Sequence, residues 1–264
     1  MASIQTAAAT SGGHWYTQTG EQVGQVEGSK KGSWVRPDIR HARKLDLAPG
    51  VTTIIGCAHR EDLVRWQINQ GIMAALTLPR KPGESDPEFV SRVVRDSKEQ
   101  VEQAADRGTE IHGAVQRFIE TGFVTPGHEE SVEAAIRALE AVCGSQNWHS
   151  EKGVASPYGY GTKADLSSDL WIVDIKTKDG DQAKIDETRL YDSHPMQLAA
   201  TDHALGKHKR LAGILFLSRT HPRAARFVPA EQDAMDRGMG MFLSLLRYWQ
   251  IKNQHRPSWA TLEA

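Results

Sequence analysis

Three strand-like runs crowd into residues 148 to 177: Trp148 to Ala155, Tyr160 to Leu166 and Leu170 to Thr177, with Gly, Ser and a few polar residues between them. Ser167-Ser168-Asp169 leaves room for a turn and nothing more, so the last two runs have to pair antiparallel as a hairpin. Any fold open to this chain is therefore built around a meandering sheet in its second half.

What flanks that sheet reads as helical. Glu61 to Leu76 has apolar residues at helical spacing through Leu63, Trp66, Ile68, Ile72 and Leu76. Asp86-Pro87 starts a second pattern, with the acid as N-cap and Pro in the first turn; it runs to about Ala105, meets Arg107-Gly108-Thr109 and resumes to Glu120. Glu130 to Cys143 is a third helix, closed by Gly144. Beyond the sheet and a polar loop, Pro195 to Leu205 is a helix ending at Gly206, Leu211 to Ser218 a buried strand, Arg226 to Val228 its short partner, and Ala230 to Gln250 an amphipathic helix. Near the start, H-W-Y-T-Q-T-G-E-Q-V suits a hairpin around Thr19-Gly20, and Val51 to Ile55 a short strand or the lead-in to a helix. The expected architecture is a mixed α/β core over 106–264, a mostly helical N-terminal extension over 14–105 with no core of its own before Gly50, and a disordered tail over 1–13.

Composition narrows the functions. A net charge of -1 gives no globally basic surface, so nucleic-acid binding would rest on local patches. Arg40 to Lys44, Lys207 to Arg210 and Arg219 to Arg226 are such runs, although runs of this kind also serve as plain solvated surface. Two distant cysteines, Cys57 and Cys143, are too few for a four-cysteine zinc or iron–sulfur site and fit a reducing compartment. No apolar run is long enough to cross a bilayer and the N-terminus lacks a signal-peptide core, so the cytoplasm is the expected location.

Chemistry concentrates in W-I-V-D-I-K-T-K, residues 171 to 178. Trp171, Val173 and Ile175 alternate with Ile172, Asp174 and Lys176, so one strand face is apolar and the other carries an acid and a base. On its own, D-x-K also describes a solvated face with an ordinary ion pair. Asp165, however, stands late on the preceding strand, where the short turn brings it opposite Asp174. Converging carboxylates repel unless a cation sits between them. Oxygen donors of this kind suit Mg²⁺ or Mn²⁺, and a neighbouring lysine can hold a water or meet the charge of a phosphate under attack.

The matches around that strand resemble the RecB-type branch of the PD-(D/E)XK nuclease superfamily. They are Gly108-Thr109-Glu110-Ile111-His112 (G-T-x-x-H), Tyr158 to Leu166 with Gly161 and Asp165 (Y-x-G-x-x-D-L), Ile172 to Thr177 (I-V-D-I-K-T), and a following helix from Gln197 to Thr201 in the place of Q-x-x-x-Y. Order and spacing agree over about residues 105 to 205. The chain is most similar to the phage and prophage exonucleases of that branch and to the mitochondrial genome-maintenance exonucleases, with Tyr191-Asp192 to Gln197 in common. The resemblance to the phage proteins extends upstream through Gly50 to Ile55, Leu63 to Trp66 and His14-Trp15-Tyr16, segments that carry less chemistry.

That resemblance implies a restriction-endonuclease-like α/β core, a mixed sheet flanked by helices, acting as a Mg²⁺- or Mn²⁺-dependent deoxyribonuclease that degrades DNA from its ends in recombination or replication. Asp165 and Asp174 would bind the metal together with the Ile175 carbonyl and His112; Lys176 would position the water, and Gln197 would orient the lysine or a phosphate. Glu120 and Glu151 are candidate supporting acids, Thr177 and Lys178 candidate phosphate contacts, and Tyr191 a candidate base-stacking residue or a plain loop core. Thr201 departs from the pattern by keeping a hydroxyl without the ring. The implied partners are DNA and, beyond it, a single-strand annealing protein or further copies of the chain, in a bacterial host cell if phage-encoded. A structure-specific endonuclease using the same site and a non-catalytic DNA-binding recombination accessory protein remain as alternatives. No G-x-x-x-x-G-K-[ST] loop is present, so any coupled ATPase would be a separate chain.

Overall fold

The N-terminal segments are held by the C-terminal half of the protein. A computed structural model describes residues 4–6, 14–30, 32–58, 61–206 and 209–264, and the side chains of 5, 6, 61–63, 100–102 and 151 are not described. β1 (Ile4–Thr6), β2 (Trp15–Tyr16), β3 (Gln22–Glu27), β4 (Trp34–Val35) and β5 (Ala48–Pro49) form an antiparallel sheet in which β3 pairs with β1, β2 and β4, and β2 with β5. The expected hairpin is there: the Gly20 N–H closes a turn onto the Thr17 carbonyl at 3.0 Å, with Gly20 at φ 86°. Ile4–Thr6, expected within a disordered tail, instead form a strand on β3; the rest of that tail, 1–3 and 7–13, lies outside the described residues.

α1 (Ile39–Leu45) starts at Asp38, whose carboxylate accepts the N–H groups of Arg40 and His41. Val51–Ile55 is α2, a helix despite its β-branched run, because the Gly50 carbonyl accepts the N–H groups of Thr53 and Ile54 and because Val51, Ile54 and Ile55 bury themselves. They join Trp15, Val23, Val26 and Leu47 in one core with Tyr160, Met196, Phe242 and Trp249. Met1–Ala58 and Ile111–Ala264 therefore make one compact unit, and His59–Glu110 a second, a partition that cuts across the expected extension of 14–105.

The second unit contains α3 (Glu61–Thr77) and the start of α4 (Asp86–Thr121), whose residues from Ile111 onward belong to the first unit. Ser85, not Asp86, caps α4: its N–H and hydroxyl both donate to Glu88 while the Phe89 N–H returns to the Ser85 carbonyl. No break occurs at Arg107-Gly108-Thr109. One mid-helix glycine costs about 1 kcal/mol against alanine, which the helix-forming residues around it absorb.

α5 (Glu129–Cys143) ends at Gly144 with φ 66°, as its sequence predicted. The central sheet follows: β6 (His149–Ser156), β7 (Tyr160–Ser167) and β8 (Trp171–Lys178) form the antiparallel meander. After α6 (Gln182–Asp186), a helix where a loop was expected, and α7 (Ser193–Leu205), β9 (Leu211–Ser218) returns parallel to β8, with β10 (Ala225–Ala230) antiparallel at the edge and α8 (Gln232–Asn253) beyond. The strand order is β10-β9-β8-β7-β6. β8 is central because its first five residues are buried on both faces. Trp171, Val173 and Ile175 pack with α4 and α5 residues such as Val115, Val132 and Leu139; Ile172 packs on the other side with Ala164, Leu198 of α7 and Ile214. The architecture is mixed α/β, and among the described residues no helix is long and apolar enough to cross a membrane.

Candidate functional site

The site forms where the sheet opens. β8 is tied to β9 by a parallel ladder over its whole length, Trp171↔Leu211 to Lys178↔Ser218. With β7 it pairs only at Leu166↔Val173 and Ser167↔Ile172. One step beyond that ladder, Asp165 and Asp174 stand opposite each other on parted strands, as the hairpin predicted. In place of a backbone partner, the Asp165 carboxylate accepts the Ile175 N–H at 2.7 Å through Oδ2. The same oxygen lies 3.1 Å from His112 Nε2, which α4 brings to the gap.

Asp174 faces α7. Its Oδ1 accepts Gln197 Nε2 at 2.5 Å, and Gln197 Oε1 in turn accepts Lys176 Nζ at 3.3 Å. Lys176 Nζ stands 2.7 Å from the buried Asp174 Oδ2 and forms an ion pair with it. Gln197 is aimed correctly because Leu198 and Ala199 beside it pack into the sheet against Ala164, Ile172 and Ile214.

The two acids titrate in opposite directions. Burial raises Asp174, with the Asp165 charge adding to it and Lys176 only partly offsetting it, and carries its pKa up to about 6. Burial also opposes ionisation of Asp165, but His112, Lys176 and the Ile175 N–H outweigh it and hold that carboxyl below the usual range. His112 is the mirror case: burial disfavours its cation, and Asp165 with Asp174 more than compensates, so its pKa lies above that of a free histidine.

Thr201, which stands where the resemblance expects Tyr, pairs its hydroxyl with Thr162 at 2.8 Å in a buried contact between α7 and β7. A ring is still present at this helix. Tyr160, fully buried on β7, donates its hydroxyl to the Ala200 carbonyl at 2.9 Å.

The peripheral candidates divide. Glu120 accepts the Ser150 hydroxyl of β6; the Glu151 side chain lies outside the described residues. Thr177 and Lys178 continue β8, and the Lys178 ammonium lies 5.1 Å from the ring centroid of Tyr191, which is half exposed. The basic runs are largely committed to the protein itself: Arg219 pairs with Asp179, Arg223 with Glu130 and Arg210 with Asp202, and Arg226 donates to the carbonyls of Asp186 and Thr188. Lys207 and His208 lie outside the described residues.

Sequence reasoning missed Tyr16 and Lys163. Gly161, Lys163 and Asp165 alternate on one side of β7, and the Tyr16 ring lies so close over Gly161 that a Cβ there would sit 2.2 Å from it. Burial, helped by the Asp165 charge, pushes the Tyr16 phenol up; burial lowers Lys163 against the pull of Asp165 and Glu120. The signal was half present, in that a glycine two pleats before an acid marks a place where something sits close.

No protein-family model matches this chain, and no curated protein matches it. Its donors can be judged against a cation directly. Among the described residues no three His, Cys, Asp or Glu side chains are grouped as a ready metal cluster, which argues against a closed zinc-type cage. Mg²⁺ asks for less, since one or two carboxylates with water and substrate phosphate suffice. A cavity of about 10 Å³, lined by Asp165, Asp174, Gln197 and Thr201 among others, approaches the volume of one water. Beside it lies Asp174 Oδ2, buried without a hydrogen bond. In kind and size the donor set fits a single hard divalent cation held by Asp165 and Asp174.

Proposed function

We propose that this chain is a metal-dependent DNA exonuclease built on a RecB-type PD-(D/E)XK core. The observation that carries the reading is the meeting of Asp165, Asp174, Lys176, Gln197 and His112 at the one point where β7 and β8 part. The run of a helix, three antiparallel strands, the two helices α6 and α7 and a parallel strand supports it. Asp165 and Asp174 would hold a Mg²⁺ ion, which would supply Lewis acidity and positive charge for phosphodiester hydrolysis. Lys176, its ammonium aimed by Gln197, holds the attacking water and meets the charge that builds on the phosphate. The water oxygen bonds to phosphorus as the ester bond to the departing nucleotide breaks, and the leaving oxygen takes up a proton. His112 positions Asp165.

A non-catalytic DNA-binding protein with the same core is the second reading; among the described residues no three His, Cys, Asp or Glu side chains are grouped. The test is incubation of wild type and Lys176→Ala with end-labelled linear and closed circular DNA, single- and double-stranded, in Mg²⁺ or EDTA. Linear DNA should disappear in Mg²⁺ only, and the lysine variant should be slower by about 10²–10³-fold, the scale of one lost transition-state donor. Cleavage of closed circles would make the protein an endonuclease. DNA binding without cleavage in any lane would leave the binding protein.

A further inference from the structure

Tyr191 is half exposed, yet its ring is held in place from several directions. Its N–H donates to His194 Nδ1 at 3.1 Å, and the His194 ring lies 5.5 Å away, tilted by 59°. His194 stands edge-on against the buried ring of Phe216, 5.9 Å between centroids. Lys178 completes the group, its ammonium 5.1 Å from the Tyr191 ring centroid and 5.3 Å from that of Phe216. A tyrosine that only filled a loop core would be covered; this one is braced from inside and offered to solvent.

Its place in the sheet gives the ring a ligand. Asp174, Lys176 and Lys178 alternate along one face of β8, so Lys178 lies two residues, ~6.6 Å, beyond Lys176. The Lys178 ammonium beside the ring thus shares a strand face with Lys176, which puts the ring on the side of the sheet where a phosphate held at Lys176 would lie. Flat aromatic rings beside cations bind bases through their π-faces without regard to sequence; an unpaired base offers both faces, a duplex only the outer face of its last pair.

On the nuclease reading above, we infer that Tyr191, braced by His194 and Lys178, is the stacking platform for an unpaired nucleobase next to the scissile phosphate, which makes single-stranded or frayed DNA the preferred ligand. The test uses the full chain in EDTA with single-stranded and blunt duplex oligonucleotides, each carrying one 2-aminopurine at successive positions from the end. Wild type should quench the probe at one or two adjacent positions of the single strand. Tyr191→Phe should keep the quenching, whereas Tyr191→Leu and Tyr191→Ala should lose it and bind roughly tenfold more weakly, the size of one base–aromatic contact. Binding without position-specific quenching, or quenching retained in Tyr191→Leu, would overturn the platform and leave the nuclease reading standing. Failure of wild type to bind either DNA would overturn both.

Discussion

Replacing Asp174 by asparagine should make the metal-free protein more stable at neutral pH. In the folded state the Asp174 pKa rises from the ordinary 3.8 to about 6, so the native protein binds this proton more tightly than the unfolded chain does. The resulting stabilisation is fully present below the unfolded value and is lost as pH rises through about 6. Above that, keeping the carboxylate ionised inside the protein costs about 3 kcal/mol, two pKa units at ~1.4 kcal/mol each. Asparagine cannot ionise and still offers an oxygen to Gln197 Nε2. At roughly 2–4 °C per kcal/mol for a chain of this size, Asp174→Asn should melt up to about 10 °C above wild type at pH 8 in EDTA, with the gap closing by pH 4. Differential scanning calorimetry across that range measures it. Saturating Mg²⁺ should then raise the wild-type melting point and leave the variant where it was. A variant less stable than wild type at pH 8, or a gap that does not change with pH, would refute the claim that burial dominates this carboxylate.

Asp165→Asn should act in the opposite sense, because the lowered pKa of that acid is a stabilisation present above the unfolded value and lost as pH falls; the same calorimetric scan should show the variant below wild type at pH 7. Gly161→Ala would drive a methyl into the base of the Tyr16 side chain and should cost about 1–3 kcal/mol by overpacking; an unchanged melting point would mean that β2 does not lie on β7. Thr201→Val strands the buried Thr162 hydroxyl and should cost about 1–3 kcal/mol, whereas adding Thr162→Val should restore most of it. A double-mutant cycle without coupling would exclude the hydroxyl pair.

The central sheet was legible because its signals are local. Two-residue alternation, a three-residue turn and glycine helix ends identify β6, β7, β8, α5 and α7, and Asp165 falls opposite Asp174 by counting across one turn. Errors came where a distant partner decides the local state. Val51–Ile55 has strand composition but is a helix, since Gly50 accepts its first N–H groups and the core formed by Tyr160 and Phe242 takes its apolar face. The glycine at 108 suggested a break that a 36-residue helix overrides. Tyr16 precedes Gly161 by so much chain that no pattern links them. The basic runs read as open surface because the acids that bind them, Asp179, Glu130 and Asp202, lie elsewhere in the sequence.

Charge counting at the opening between β7 and β8 accounts for how an apolar sheet tolerates an inner face with an acid and a base. Each carboxylate has its own cation, His112 for Asp165 and Lys176 for Asp174, so with His112 protonated the four groups sum to zero. On the nuclease reading, Asp165 and Asp174 would hold a divalent ion, whose charge would supply the compensation that the two bases provide without it. Gln197 would still hold the Lys176 ammonium, whose charge would then be available to the phosphate. On that reading one residue, Lys176, would serve both as the partner of Asp174 and as the cation that meets the phosphate.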